Sequence, residues 1–366
     1  MSFVEINNHV RSRMRHIREN GELDPIKFGF QSWNQYDKGK LIMGSRKCTM
    51  LIGGEPNHGK SQFTNELVMQ MIEKYNFKVA LFTTESGDVE KVFTQFCGYY
   101  QGRPYAKLRP DGTENDFAMT DAEADEAEAF LRDNLFVFKQ DRKDSAYQSL
   151  ENIYKQLAEL EKHYEIKIDS LVIDPIYDVD DFEPKASEVL RVLNRFNLEA
   201  EENNRFDIVV NHVAETAKTV DKNGKRKKLL ALADEFYGGK NNNRKAMLQV
   251  LVHRPYPNND PEQGEIIAEN QTDIHILKVK PEGIAKWGKY PIYYDWKSRR
   301  YYEWIEEDGT TPYPSFANCV KFVDRRPNED VIKTFRPTVE QAFDAPVTTP
   351  KKEEYDGFDD DNDMPF

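Results

Sequence analysis

The sequence predicts an α/β fold built on a mainly parallel sheet flanked by helices. Three observations point to it. Between residues 48 and 212, short apolar runs with strand character alternate with helical periodicities, as expected of strands covered by helices on both faces. The first of these runs passes through a glycine-bearing turn directly into a helix, an arrangement that presents backbone amides to an anion. Two further runs, "VALFTTE" and "SLVID", end on carboxylates at Glu85 and Asp174, at the strand ends where open parallel sheets bind ligands.

In chain order, "MSFVEINNHVRSRMRHIREN" carries Phe3, Ile6, Val10, Met14 and Ile17 at helical spacing, which predicts an amphipathic helix over 3–19. It has basic residues but no apolar central run, so it is not a secretion signal. The alternation that follows predicts strand 48–53, helix 60–74, strand 78–84, helices 88–100 and 121–133, strand 135–138, helix 146–163, strand 169–174, helix 186–203 and strand 206–212. Beyond residue 213 the chain turns polar, basic and glycine-bearing, and then gives three β-type runs: "AMLQVLVHR", "TDIHILKVK" and "YPIYYDWKSRRYYEW". The last two read as a hairpin around "PEGIAKWGK". From about residue 325 Pro, Thr, Lys and acids dominate, and 340–366 reads as a disordered tail. This divides the chain into an amino-terminal helix (1–24), a main domain (25–325) and a tail (326–366).

Bulk properties narrow the function. Net charge is −13 over 366 residues, so no global basic field draws the chain to nucleic acid or membranes. The last sixteen residues hold seven Asp/Glu against two Lys, which leaves room for basic patches elsewhere. Cys48, Cys97 and Cys319 are far apart and odd in number, fitting neither a zinc site nor a disulfide framework; a reducing, cytoplasmic setting is expected. No apolar run approaches the roughly 18 residues of a membrane span.

The most informative stretch is Gly54-Glu55-Pro56-Asn57-His58-Gly59-Lys60-Ser61, followed by Gln62 in the helix. It is G-x-x-x-x-G-K-S between a strand and a helix, a phosphate-binding loop. Its glycines let successive N–H groups converge on phosphate oxygens. Lys60 reaches the β/γ-phosphates, and Ser61 holds Mg²⁺. Asp174, at the end of a buried strand, is the matching second metal residue, although an acid starting a turn before Pro175 is also ordinary. Asp178, Asp180 and Asp181 read as surface acids. At Glu85 two readings stand level: a carboxylate that orients the attacking water, or an acid beside a helix dipole.

These motifs, in this order, resemble the RecA-like motor domain of DnaB-type ring helicases. They are closer in style to the phage helicase–primase and mitochondrial Twinkle branch than to DnaB itself. The resemblance spans about residues 25–305, through "IKFGFQSWNQYDKGKLIMGSRKCTMLIGGEPNHGKS", "ALFTTESG", "LVIDPIYDV" and "IVVNHVAETAK". It implies that Glu85 activates water and that His212, at the end of a later strand, senses the γ-phosphate. It also implies that the segments after that strand line a central channel for single-stranded DNA. Here they carry Lys218, Lys222, Lys225, Arg226, Lys227 and Lys228, then Gly238, Gly239, Lys240, Arg244 and Lys245; a solvated surface hairpin is the plainer alternative. In the family ATP lies between subunits, and a neighbour's basic residue completes the site. Arg254 falls at the arginine-finger position, and Lys278 and Lys280 match a nearby basic pair whose second member is Arg in the family. Lys lacks the bidentate fork of Arg. Residues 1–24 resemble only the linker helix that docks on the adjacent subunit, with no primase, zinc-binding or collar segment ahead of the motor.

The chain ends "DGFDDDNDMPF", which resembles the acidic tip of bacterial single-stranded DNA-binding proteins. The resemblance implies that Asp359, Asp360, Asp361 and Asp363 meet a basic rim while Pro365 and Phe366 enter an apolar pocket on a replication partner such as a polymerase or primase. The functional expectation is an ATP-dependent (or other NTP-dependent), Mg²⁺-requiring helicase acting on single-stranded DNA as a homo-oligomeric ring, hexameric in this family. A filament-forming RecA-type recombination or annealing ATPase, and an ATP-switched loader, are the alternatives.

Overall fold

The structure is a computed structural model. It describes residues 6–20, 25–34, 43–84, 88–139, 149–179, 186–213, 219–220, 226–227, 231, 235–236, 239, 244–260, 264–280, 285–305 and 312–322. The elements are α1 (Asn8–Asn20), β1 (Pro25–Lys27), β2 (Met43–Ser45), β3 (Cys48–Gly53), α2 (Lys60–Tyr75), β4 (Val79–Thr83), α3 (Val89–Gln101), α4 (Asp121–Arg132), β5 (Leu135–Val137), α5 (Leu150–Tyr164), β6 (Ser170–Asp174), α6 (Ala186–Glu202), β7 (Phe206–Val210), β8 (Thr219–Val220), β9 (Arg226–Lys227), β10 (Leu248–His253), β11 (Gln271–Val279), β12 (Gly288–Tyr294), β13 (Tyr301–Ile305) and β14 (Tyr313–Ser315). All lie in the unit Met1–Asn328; a second unit, Glu329–Phe366, which holds the acidic tip, lies outside the described residues.

Ten strands form one sheet in the order β14-β13-β12-β11-β10-β3-β7-β6-β4-β5. The six from β10 to β5 run parallel. The four from β11 to β14 extend the sheet antiparallel. Every residue of β3, β4, β6 and β7 is buried, because helices cover both faces. Side chains alternate between two cores. Met50 and Ile52 meet Phe63, Leu67, Phe96 and Leu131 of α2, α3 and α4 on one face. On the other, Leu51 and Val209 meet Ile153 and Leu157 of α5 and Val189 and Phe196 of α6.

Local chemistry explains the helix starts. The Asn7 side chain accepts from the Val10 amide at 2.9 Å, so α1 begins after Asn7 rather than at residue 3, an N-cap. A Thr120–Glu123 capping box starts α4, and Ser149 caps α5 by accepting from Asn152 N–H. Of the predicted apolar stripe, Val10 and Ile17 are half-buried, whereas Met14 of α1, and Ile6 just before it, are 52% and 64% exposed. The expected hairpin around 281–289 is present as β11–β12. The run "YPIYYDWKSRRYYEW" is two strands rather than one. Asp295 turns the chain between them, its carboxylate accepting from Ser298 N–H at 3.0 Å and its carbonyl from Arg299 N–H at 2.8 Å.

That turn delivers Arg300 into the core. Arg300 is fully buried. Its Nε and Nη2 donate to Glu66 at 2.7 and 3.0 Å. Nη1 and Nη2 donate to Glu73 at 3.1 Å each, and Nη1 also donates to the Tyr99 carbonyl at 3.2 Å. Glu66 further accepts from Asn318 at 2.7 Å and Gln70 at 2.9 Å. Burial alone would raise the Glu66 pKa; the Arg300 charge and these donors hold it below the usual 4.5. The network ties α2, the helix that follows the phosphate loop, to β13 and to the chain around Asn318.

Arg300→Met is expected to lower unfolding free energy by about 3–5 kcal/mol at pH 7, because two buried carboxylates lose their partner. Urea titration reads this. In the intact protein the depressed Glu66 contributes fully above about pH 4.5, and that contribution falls away as pH drops through its lower folded value. In the variant, burial without the guanidinium raises Glu66, so the deficit narrows as pH is lowered from 7 towards 5.

Candidate functional site

The loop between β3 and α2 is shaped by its neighbours. β10 pairs in parallel with β3, Leu251 opposite Gly53. The Val252 carbonyl therefore lies 2.5 Å from where a Cβ on Gly54 would stand; only glycine fits there without moving backbone. At Gly53 the same imagined atom would meet the Phe236 ring at 2.2 Å. Asn57 and Gly59 take left-handed φ of 64° and 87°, conformations that suit these two residue types. Gly59 is the N-cap of α2 and brings no side-chain cap, so the first-turn amides face the loop's concavity. Lys60 folds over the loop and donates to the Glu55 carbonyl at 3.0 Å. Pro56 and Asn57 are exposed and Ser61 is half-buried.

Two other predicted site residues, His212 and Asp174, arrive at the same edge. The Asn211 amide donates to the Ile52 carbonyl at 2.7 Å, and that of Val213 to Gly54 O at 3.4 Å. His212, between them, runs beside the loop's first residue. Its ring lies 5.1 Å from that of Tyr177. Asp174 ends β6, is 3% exposed, and stands two strands from β3, roughly 10 Å at normal strand spacing. Thr83 pairs with Asp174 and the Thr84 amide donates to its carbonyl at 3.2 Å, so β4 ends beside Asp174. Glu85 itself lies outside the described residues. Asp178, expected at the surface, is half-buried and accepts from Thr84 Oγ1.

The loop cradle and the uncapped helix start, with the Ser61 hydroxyl and the Asp174 carboxylate at the same sheet edge, fit a nucleotide phosphate with Mg²⁺. Among the described residues no cluster of three or more His, Cys, Asp or Glu fits a metal bound by protein alone. A phosphate-borne Mg²⁺ needs only one or two protein ligands.

The basic candidates separate. Arg254 follows β10, and its Nη2 is 3.9 Å from the Cβ position at Gly59 of the same chain. It therefore stands over its own phosphate loop. Lys278 pairs with Gln249 and Lys280 N–H bonds Met247 O at 2.7 Å, near the start of β10. Asp273, at the loop end of β11, pairs with His253, so Lys278 is five residues away, roughly 17 Å along the strand. Burial and the nearby Lys280 lower the pKa of Lys278. Gln62 faces away from the loop, donating to the Arg299 carbonyl at 2.9 Å.

Of the basic segment, Arg226 and Lys227 form β9, which pairs with β8 as a short antiparallel hairpin. Gly239 N–H bonds Phe236 O at 2.7 Å and Arg244 is exposed. Lys218, Lys222, Lys225, Lys228, Gly238 and Lys240 lie outside the described residues, as do Asp359, Asp360, Asp361, Asp363, Pro365 and Phe366. Sequence reasoning missed Arg300 and Tyr301, whose hydroxyl is 3.2 Å from the Gly59 Cβ position. Glu66 and Glu73, seven residues and so two turns apart on one side of α2, were the available signal that a cation was needed between them.

No family model and no curated protein matches the chain. Among solved structures, a protein described as an ATPase domain superposes with a TM-score of 0.61 at 14% identity, covering 82% of this chain and 99% of that one. A DnaB-like replicative helicase, described with its interactions with primase, gives 0.59 at 15% identity, covering 81% of this chain and 68% of that one. The shared property is the fold. No helix among the described residues is long and apolar enough to cross a membrane.

Gly54→Ala is expected to destabilise the protein by about 1–3 kcal/mol through overpacking against the Val252 carbonyl and to weaken nucleotide binding. Thermal shift with and without Mg²⁺-ATP checks both; an unchanged melting temperature would mean the loop is not packed as described.

Proposed function

We propose that this chain is an ATP-driven motor that moves on single-stranded DNA, working as a ring-forming replicative helicase. The observation that carries the reading is the convergence of the phosphate loop, Asp174, His212 and Arg254 at the carboxyl ends of four neighbouring parallel strands. The likeness in fold to a solved ATPase domain and to a DnaB-like replicative helicase supports it.

In this reading the loop amides and Lys60 bind and orient the β/γ-phosphates, and Ser61 and Asp174 hold Mg²⁺, which neutralises charge on them. Glu85, carried on the chain leaving β4, accepts a proton from the attacking water. Arg254 stabilises charge on the nucleotide of its own chain. Lys278 and Lys280, at the far end of the sheet, serve a nucleotide held by the adjacent subunit. Such trans cations are worth roughly 10³–10⁵ in turnover when they are arginines, and less as point-charge lysines. α1, with Met14 exposed, docks on the neighbour and completes the ring. His212 reports the γ-phosphate to the segment that follows it, whose lysines and arginines neutralise DNA phosphates without reading bases. The acidic tip ending in Phe366 recruits a replication partner: the aromatic end offers burial, and the acids steer it to a basic surface.

Lys60→Ala is expected to abolish nucleotide binding or turnover. Glu85→Gln should retain binding while turnover falls by at least about a hundredfold, in line with losing a general base; a variant hydrolysing ATP at the wild-type rate would exclude Glu85. Lys280→Ala and Lys60→Ala chains, each inactive alone, should regain part of the ATPase rate when mixed. No recovery would exclude a shared site. Removing Phe366 should weaken partner recruitment and leave basal ATPase intact; a changed ATPase rate would instead give the tail an autoinhibitory role.

A further inference from the structure

The loop residue His58 is 4% exposed, unlike the two residues before it. Its side chain turns away from the exposed rim and reaches the end of β10. The Arg254 amide donates to His58 Nδ1 at 3.3 Å, and Nε2 lies 3.6 Å from a Glu55 carboxylate oxygen. An Nδ1 that accepts leaves the proton on Nε2, facing Glu55. The ring also packs edge-on to His253 at 5.2 Å. His58 thus links both ends of one arrangement: Glu55, whose carbonyl holds Lys60, and the backbone of Arg254, whose side chain reaches Gly59.

We infer that His58 is a positioning residue: its imidazole latches the Arg254 backbone to the phosphate loop, so that the guanidinium points at the nucleotide of its own chain. The inference rests on the ATPase reading above. Nucleotide binding depends chiefly on loop amides and Lys60, which His58 does not replace, so loss of the latch acts mainly on turnover. Misplacing a charge-stabilising group by about 1 Å costs on the order of a hundredfold.

The test is steady-state ATP hydrolysis by the full chain carrying His58→Ala, His58→Asn, His58→Gln or His58→Phe, each also checked by thermal denaturation. His58→Ala is expected to lower kcat by about ten- to a hundredfold with KM changed less than about threefold, a loss confined to turnover. Asn sets its carbonyl oxygen near the place of Nδ1 and should restore most of kcat. Gln sets its amide near Nε2, keeping the Glu55 contact alone, and should not. Phe keeps the bulk but no acceptor and should not. In an Arg254→Ala background His58→Ala should have little further effect, because the two act as one unit. Rescue by Phe and not by Asn, wild-type kcat in His58→Ala, or additive losses with Arg254→Ala would each overturn the inference. The underlying reading fails differently, through wild-type protein without ATPase activity or Lys60→Ala with undiminished turnover.

Discussion

Arg300 has no contact with solvent, and all five of its N–H bonds end on protein: two on Glu66, two on Glu73 and one on the Tyr99 carbonyl. Removing such a charge from water costs several kcal/mol, and the cost is offset only when every donor finds an acceptor. The two carboxylates stand seven residues apart on α2, so one guanidinium grips two turns of a single helix. Because α2 begins at Lys60, fixing its axis fixes where its first-turn amides point. The same turn puts Tyr301 beside Gly59. The phosphate loop is thus set from the helix side by Arg300 and from the strand side by Val252 and Phe236.

Phe236 has a second consequence. It lies in the chain that leaves β7 and passes through the basic segment, and Val213 forms a bridge with it. Its ring occupies the space that a side chain on Gly53 would fill. A shift of the loop end of β3 is therefore felt directly by the segment that carries the basic residues. In the proposed motor this contact and the neighbouring His212 are the physical route from phosphate to DNA.

Much of this was legible in the sequence because the parallel core is buried on both faces. Strands such as 48–53 and 170–174 carry the apolar runs Met50–Ile52 and Leu171–Ile173, and the glycine turn and terminal acids punctuate them. Pairing across the sheet was not legible. Nothing in "VLVHRP" says that β10 lies against β3, which is what brings Arg254 beside the phosphate loop of its own chain. Gln62 was expected at the nucleotide because it follows Ser61, but its side chain donates to the Arg299 carbonyl just before β13. Arg300 was one unremarked residue of a β-type run, since periodicity does not tell a buried arginine from an exposed one. His58 fills a variable position of the loop; its contact with the Arg254 backbone depends on the neighbouring strand, which the sequence does not reveal.

The ring is the claim on which the division of labour between Arg254 and the lysine pair depends. Mass photometry of the intact chain with a non-hydrolysable ATP analogue and single-stranded DNA tests it most directly. A dominant species at six chain masses, requiring nucleotide and lost in Lys60→Ala, is expected. Single chains under all conditions, or assemblies whose mass grows in step with DNA length, would contradict it.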